Sequence, residues 1–312
     1  MNLIIGKKSN LTKSLVKHIS NCKVISLEEL DYKNIANISK NQKINIIINQ
    51  FYPANKLSTI EKYEDFYNIS ILKISKFLDN VNFKRINKII YSSSSSVYGS
   101  IGNNHFNNNR DLYSSAKLAA ENLIVNFCQK KNIKYILARI FNMYGDDEDF
   151  SIISKILKSV KEKKPFFLYN NGEGIRDFIH VTDVSKIYKK LIDHNFSGIV
   201  DVGSGFGIKI IDLINSINKP SLKIKYDSSN FREIGSSIAD RKFIFNEIGF
   251  KKFITLEDFF LKKKIILKID PNKKIPFYKK NHIQKLNNYE KILNTKLNYN
   301  SFFKKKRGEV SN

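Results

Sequence analysis

Short runs of isoleucine, leucine and valine recur along the first half of this chain, and each is followed by a longer amphipathic stretch. The runs are Leu3-Ile4-Ile5, Lys23-Val24-Ile25-Ser26, Ile44-Asn45-Ile46-Ile47-Ile48, Lys88-Ile89-Ile90-Tyr91 and Tyr135-Ile136-Leu137-Ala138. Each is too short for a helix and rich in β-branched residues. Consecutive apolar positions face opposite sides of a strand, so these strands need cover on both faces. The stretches Leu11 to Ile19, Phe66 to Leu78 and Ser114 to Lys130 have helical spacing. Strands that alternate with helices build a parallel sheet between two helical layers. The expected fold is therefore α/β, a doubly wound parallel sheet whose ligands sit at the carboxyl ends of its strands. After Gly145 the pattern loosens, as a smaller C-terminal lobe would require.

Composition narrows the classes. No run approaches the roughly 18 apolar residues of a membrane span. The start, Met1-Asn2-Leu3-Ile4-Ile5-Gly6, enters a strand at once and lacks the basic and apolar blocks of a signal peptide, so a cytoplasmic location is expected. Two cysteines and five scattered histidines suit neither a disulfide framework nor a metal centre, and no metal is expected. The net charge of +25 would ordinarily suggest nucleic acid. Only seven of the 54 basic residues are arginine, however, and no binding motif accompanies them, so no specific nucleic-acid partner is expected. About half of the excess lies from Lys262 onward, where 15 Lys/Arg face Asp270, Glu290 and Glu309. Residues 265–312 read as a solvated basic Lys/Asn-rich extension without an assigned fold.

The chemistry begins with Tyr113-Ser114-Ser115-Ala116-Lys117, which puts a phenol and an ammonium on one helix face. The cation is expected to pull the phenol below its ordinary value near 10, toward working pH. Among 15 Tyr and 47 Lys, one such pair is an ordinary coincidence. Its company changes that. Upstream stands Tyr91-Ser92-Ser93-Ser94-Ser95-Ser96-Val97-Tyr98-Gly99, hydroxyls placed where a strand ends. Downstream come Arg139-Ile140-Phe141-Asn142-Met143-Tyr144-Gly145, then Gly174-Ile175-Arg176-Asp177-Phe178-Ile179-His180-Val181-Thr182-Asp183, then Asp201-Val202-Gly203-Ser204-Gly205. In this order the series resembles the extended short-chain dehydrogenase/reductases, the NAD-dependent epimerase/dehydratase family that acts on nucleotide-diphosphate sugars. The resemblance covers about residues 1–260.

That resemblance implies a Rossmann-type fold, with residues 1–264 as one unit: 1–145 mainly dinucleotide-binding, 146–264 mainly the substrate lobe, with a return to the sheet near 178–203. It puts the catalytic trio on Ser94, Tyr113 and Lys117, with Ser93 and Ser95 as local ambiguities for the serine. By the same likeness Gly6, Ser9, Asn10, Leu11, Asn68, Tyr113, Lys117 and Phe141 line the cofactor, NAD or NADP with NAD favoured. Ser94, Asn142, Arg176 and Arg232 contact the substrate, the arginines through the planar fork that suits phosphate. An ordinary local ion pair is the alternative for Arg176-Asp177. A homodimer is the implied assembly, and surface-polysaccharide or sugar-nucleotide synthesis the implied setting.

The departures matter as much. The family's three-glycine loop is here Gly6, Ser9 and Thr12. A Cβ at Ser9 is expected to crowd the phosphate, or to strain the backbone if the site needs a positive φ. The dehydratases' Asp-Glu pair is replaced by Ser95-Ser96, which disfavours 4,6-dehydration. The short path from Val24 to Ile46 resembles the 4-keto-sugar reductases, whereas the later motifs resemble the epimerases. The leading expectation is an epimerase working at the sugar C4. The alternatives are an NADPH-dependent 4-keto nucleotide-sugar reductase and a catalytically degenerate member that only binds.

Overall fold

The computed structural model describes residues 1–26, 43–53, 56, 60–99, 109–146, 148–217, 222–227 and 235–267, the side chains of 109–111 apart. Arg232 and nearly all of the basic extension lie outside them.

Six parallel strands form the main sheet: β1 (Asn2–Ile5), β2 (Cys22–Ile25), β3 (Ile44–Ile48), β4 (Ile86–Ser94), β5 (Lys134–Ile140) and β9 (Gly198–Val202). Their order is β2-β1-β3-β4-β5-β9. The isoleucine runs occupy its interior: Ile4 and Ile47 point to one helical layer, Leu3, Ile5, Ile46 and Ile48 to the other, and all are buried. One layer holds α1 (Asn10–His18) and α6 (Val181–Asp193), which pack on each other. The other holds α4 (Asn109–Lys131) and a segment of three pieces, α2 (Tyr63–Tyr67), a π turn (Asn68–Leu72) and α3 (Lys73–Asn80). Ala116, Ala120, Ile124 and Cys128 recur every fourth residue along α4 and are buried. The two small alanines let the Tyr113 end of that helix lie close to the sheet.

The expected doubly wound sheet is therefore present, with three differences of detail. The single helix expected over Phe66–Leu78 is interrupted by the π turn at Asn68. Strand β4 runs on through Ser92, Ser93 and Ser94, because each pairs with a residue of β5. Among the described residues the return to the sheet is made by β9, whereas Ile175–His180 (β8) belongs to a small sheet in the lobe.

That lobe contains β6 (Asn142–Tyr144), α5 (Ile152–Glu162), β7 (Phe166–Tyr169), β10 (Gly207–Lys209), α7 (Ile210–Ser216), β11 (Ile224–Asp227), β12 (Ser236–Ser237), α8 (Lys242–Asn246) and α9 (Leu256–Lys262). Strand β8 is its hub, pairing with β6, β10 and β12. Tyr144, Phe166, Leu168, Phe178 and Phe260 fill a separate apolar core.

A buried lysine of β4 ties the main sheet to a helix end. Lys88, 2% exposed, sends its ammonium to the carbonyls of Leu191 and Ile192 at 2.8 and 2.9 Å, and to that of His194. These are carbonyls that the end of α6 leaves without intrahelical donors, so Lys88 caps a helix across the sheet.

Candidate active site

Strand order fixes where the site lies. The order in which strands are laid down reverses at β1, since β2 lies on one side of it and β3 on the other, all parallel. The crevice beyond their carboxyl ends is the switch point of a doubly wound sheet. Gly6 leaves β1 there with φ +126°, and a Cβ built on it would lie 2.8 Å from the carbonyl carbon of Asn49. Only glycine fits a turn so close to the neighbouring backbone.

Ser9 and Thr12 occupy the places of the missing glycines without strain. Ser9 has φ −75° and ψ 140°, ordinary extended backbone. Asn49, just beyond β3, donates from its amide nitrogen to Ser9 Oγ at 2.9 Å and to Thr12 Oγ1 at 2.8 Å. The expected strain at Ser9 is thus absent, because this turn needs positive φ only at Gly6. The Ser9 hydroxyl makes no cap hydrogen bond to α1. The first-turn amides of that helix, from Asn10 and Leu11 onward, have no intrahelical acceptor and carry the positive end of its dipole. Asn10 itself donates from Nδ2 to the carbonyl of Gly145 at 3.1 Å, which ties this turn to β6.

At the carboxyl end of β4, the Ser94 side chain faces the Tyr113 phenol closely enough to oppose the rise in its pKa. Ser94 Oγ accepts from the amide of Ser96 at 3.2 Å and from its hydroxyl at 3.0 Å. The two rival serines are turned elsewhere. Ser93 Oγ donates to Glu121 at 2.5 Å, and Ser95 Oγ lies 3.5 Å from Ser237 Oγ of the lobe.

Lys117 is one helical turn from Tyr113, and its ammonium donates to the Ser92 carbonyl at 2.7 Å. Aromatic rings surround it: Phe51 at 4.0 Å from its Nζ, Tyr91 at 4.8 Å and Tyr113 at 5.9 Å. Phe51 also meets Tyr113 edge to face, with centroids 5.2 Å apart. These surroundings reverse the expected electrostatics. Burial pushes the Tyr113 phenol up to about 12, with the Ser94 side chain opposing it. Burial likewise pulls Lys117 down to about 7, opposed by Glu121. A buried lysine with so weakened a charge does not offset the desolvation of the phenol.

The remaining expected residues are spread around this centre. Asn68 opens the π turn, half-buried, on the segment that packs against α4. Phe141 is 4% exposed and lies against the ring of Tyr98 at 6.5 Å. Asn142 donates from Nδ2 to the backbone carbonyl of Asp177 at 3.1 Å. It pairs with Phe178, two residues from Arg176 along β8. Arg176 is buried and donates from Nη1 to the Ile175 carbonyl at 2.8 Å. The Asp177 carboxylate accepts from the Ser204 amide and hydroxyl and from the Gly205 and Ala239 amides. Burial raises Asp177 to about 6 against these bonds. Neighbours along a strand face opposite sides, so Asp177 is an anchor of lobe backbone on the side away from Arg176.

Four groups at the site have no role that the motifs assign: Asn49, Phe51, Glu121 and Arg139. Glu121 could have been found from its i+4 spacing after Lys117. The others depend on strand neighbours that local sequence does not reveal.

Against this geometry, the NAD dependent epimerase/dehydratase family matches residues 4–203. The chain belongs to that family. Among its relatives is the dTDP-D-glucose 4,6-dehydratase of Dictyostelium discoideum, 23% identical over 253 residues, or 67% of this chain and 58% of that one. The chain thus spans less than two thirds of that relative's length. Protein CapI of Staphylococcus aureus is 22% identical over 284 residues, 81% of this chain and 84% of its own. In fold, the chain is similar to UDP-glucuronic acid 4-epimerase from Bacillus cereus, solved with UDP-glucuronic acid and NAD. The TM-score is 0.68 at 16% identity, over 82% of this chain and 95% of that one.

The residues present fit a dinucleotide at its diphosphate. The tight turn at Gly6 and the uncapped first turn of α1 together offer backbone N–H groups to an anion.

Proposed function

We propose that this chain is an NAD-dependent epimerase of a nucleotide-diphosphate sugar, working at the sugar C4. The observation that carries the reading is the convergence of Ser94, Tyr113 and Lys117 at the carboxyl end of β4, next to the Gly6 turn. Bound NAD would supply a hydride acceptor and, while oxidised, a positive charge beside the phenol. In this reading Tyr113 Oη takes the proton of the sugar 4-hydroxyl and returns it after the 4-keto sugar has turned over. Ser94 orients the reacting oxygen by hydrogen bonding. Lys117 holds the nicotinamide ribose and favours the phenolate. Asn142 and Arg176 take the diphosphate half of the substrate, Arg176 through its planar fork. Arg232 is a further phosphate contact in this reading.

Ser95 and Ser96 bring no acid or base next to Ser94, which argues against 4,6-dehydration. A homodimer through α4 and the adjoining α2–α3 segment is part of the proposal, supported by exposed Tyr63, Tyr67 and Leu72 on that segment. So are a cytoplasmic location and a role in surface-polysaccharide or sugar-nucleotide synthesis. Residues 1–264 form its working unit.

A second reading, the NADPH-dependent 4-keto-sugar reductase, is favoured by the short path in the sequence from Val24 to Ile46. Mass spectrometry of nucleotide released on denaturing the purified protein separates the two. Stoichiometric NAD supports the epimerase, and an empty protein that then binds NADPH supports the reductase. An empty protein that binds neither refutes both and leaves the degenerate, binding-only member.

A further inference from the structure

A polar cavity lies at the far end of β8 from Arg176. The strand runs four residues on to His180, about 13 Å at the rise of a strand. A cavity of about 280 Å³ opens there, with buried His180 and Phe259 as its floor and exposed Asp146, Lys262 and Lys263 at its rim. The His180 ring is 8% exposed and fixed in place. Its Nδ1 accepts from the Thr182 amide at 3.2 Å, so the neutral imidazole carries its proton on Nε2. Tyr144 and Phe259 pack against the ring, with centroids at 5.2 and 5.5 Å. Among the described residues no hydrogen bond engages Nε2. The neighbour on that edge is Gly145, where a Cβ would lie 2.3 Å from Nε2, so the glycine leaves the edge uncovered. Asn10 holds the Gly145 carbonyl, which keeps the loop that presents Asp146 in place. A donor this deep, with no acceptor from the protein, is set to meet a group inside the cavity.

Charge selects what enters. Lys262 and Lys263 stand at the end of α9, and among the described residues no ion pair engages either. Burial draws the His180 imidazole down to about 4, with Asp146 opposing and Lys262, Lys186 and Lys263 adding to the fall. The ring is therefore neutral at working pH and donates without carrying charge. Three lysines against one carboxylate leave the cavity positive. Two ammoniums and one imidazole N–H are separate donors, which suit a tetrahedral phosphate better than the planar carboxylate an arginine fork would grip. The Phe259 ring offers a wall for carbon, and Asp146 an acceptor for hydroxyls. We propose that this cavity binds a small hydroxylated phosphate monoester, with His180 Nε2, Lys262 and Lys263 on the phosphate and Asp146 on the hydroxyls. The site stands apart from the proposed sugar chemistry and needs neither Tyr113 nor Lys117.

The test is calorimetric titration of the intact chain with glycerol 3-phosphate at constant ionic strength. Saturable binding is expected, with inorganic phosphate severalfold weaker because it lacks the hydroxylated part. Lys262→Ala/Lys263→Ala should weaken the binding about tenfold or more, the scale of lost charge-assisted hydrogen bonds. Lys251→Ala/Lys252→Ala removes the same charge from exposed positions elsewhere and should leave it unchanged. In NMR of protein carrying nitrogen-15 histidine, the His180 Nε2 resonance should move along the same saturation curve. His180→Gln identifies that resonance, and if the variant does not fold, its titration near pH 4 does. Absence of saturable binding, equal losses in the two lysine variants, an unmoved His180 resonance, or inorganic phosphate bound as tightly as the monoester each overturns the proposal. None of these readouts involves NAD, so failure here is distinct from failure of the epimerase reading, which appears as absent NAD.

Discussion

Replacing Asn49 with leucine would test whether this chain has rebuilt its glycine-poor turn around one amide. The substitution keeps side-chain volume but removes the donor that serves Ser9 at 2.9 Å and Thr12 at 2.8 Å. Each such bond contributes about 1 kcal/mol net, and leaving a buried hydroxyl without its partner costs about 1–3 kcal/mol. Thr12 is 2% exposed, so it stands at the costly end, whereas Ser9 is half-buried and recovers water. The sum is about 2–3 kcal/mol, which lowers the melting temperature by roughly 4–10 °C for a chain of this class. A second variant sharpens the test. Removing the acceptors as well, in Ser9→Gly/Thr12→Ala/Asn49→Leu, eliminates the buried unpaired groups and should recover more than half of the loss. The assay is urea unfolding monitored by circular dichroism, with a thermal melt alongside. An Asn49→Leu protein as stable as the parent would refute the reasoning. So would a triple variant that merely adds three separate losses, since coupling is the signature of groups in contact.

Three other outcomes rest on particular contacts. Lys88→Met should cost about 2–4 kcal/mol by leaving buried carbonyls at the end of α6 without a donor. Burial lowers Lys88 to about 8, so between about pH 8 and 10.5 the unfolded chain holds a proton that the folded chain has released. Stability of the parent relative to Lys88→Met should therefore rise with pH across that window, and a difference that stays flat or falls refutes the assignment. Gly145→Ala should depress folded yield and melting temperature, since Gly145 has φ +110° and a Cβ would lie 2.3 Å from His180 Nε2; an unchanged melt contradicts it. Phe51→Ala should tighten NAD binding roughly tenfold in calorimetry. On the proposed reading the ring must leave Lys117 and Tyr113 for the ribose to enter, losing contacts worth about 1–3 kcal/mol together. Weaker binding would mean that the ring instead supports the cofactor.

Legible in the sequence was whatever a single element must declare for itself. Strands sandwiched between helical layers must be apolar at consecutive positions, so Ile46-Ile47-Ile48 and Ile89-Ile90-Tyr91 announce buried parallel strands before any contact is known. Tyr113 and Lys117 share a helix face by spacing alone. What stayed hidden depends on which strands become neighbours. Nothing near Asn49 marks it as the donor to Ser9 and Thr12, because that bond exists only once β3 lies beside β1. The charge state expected at Tyr113 reversed for the same reason. Spacing brings an ammonium near a phenol, but the desolvation that governs both comes from Phe51 and Tyr91 on two other elements. The motif therefore records which groups meet, while the neighbouring strands and loops decide which of them is charged. In this chain that decision falls first to a residue outside the motif, Phe51, which covers Lys117.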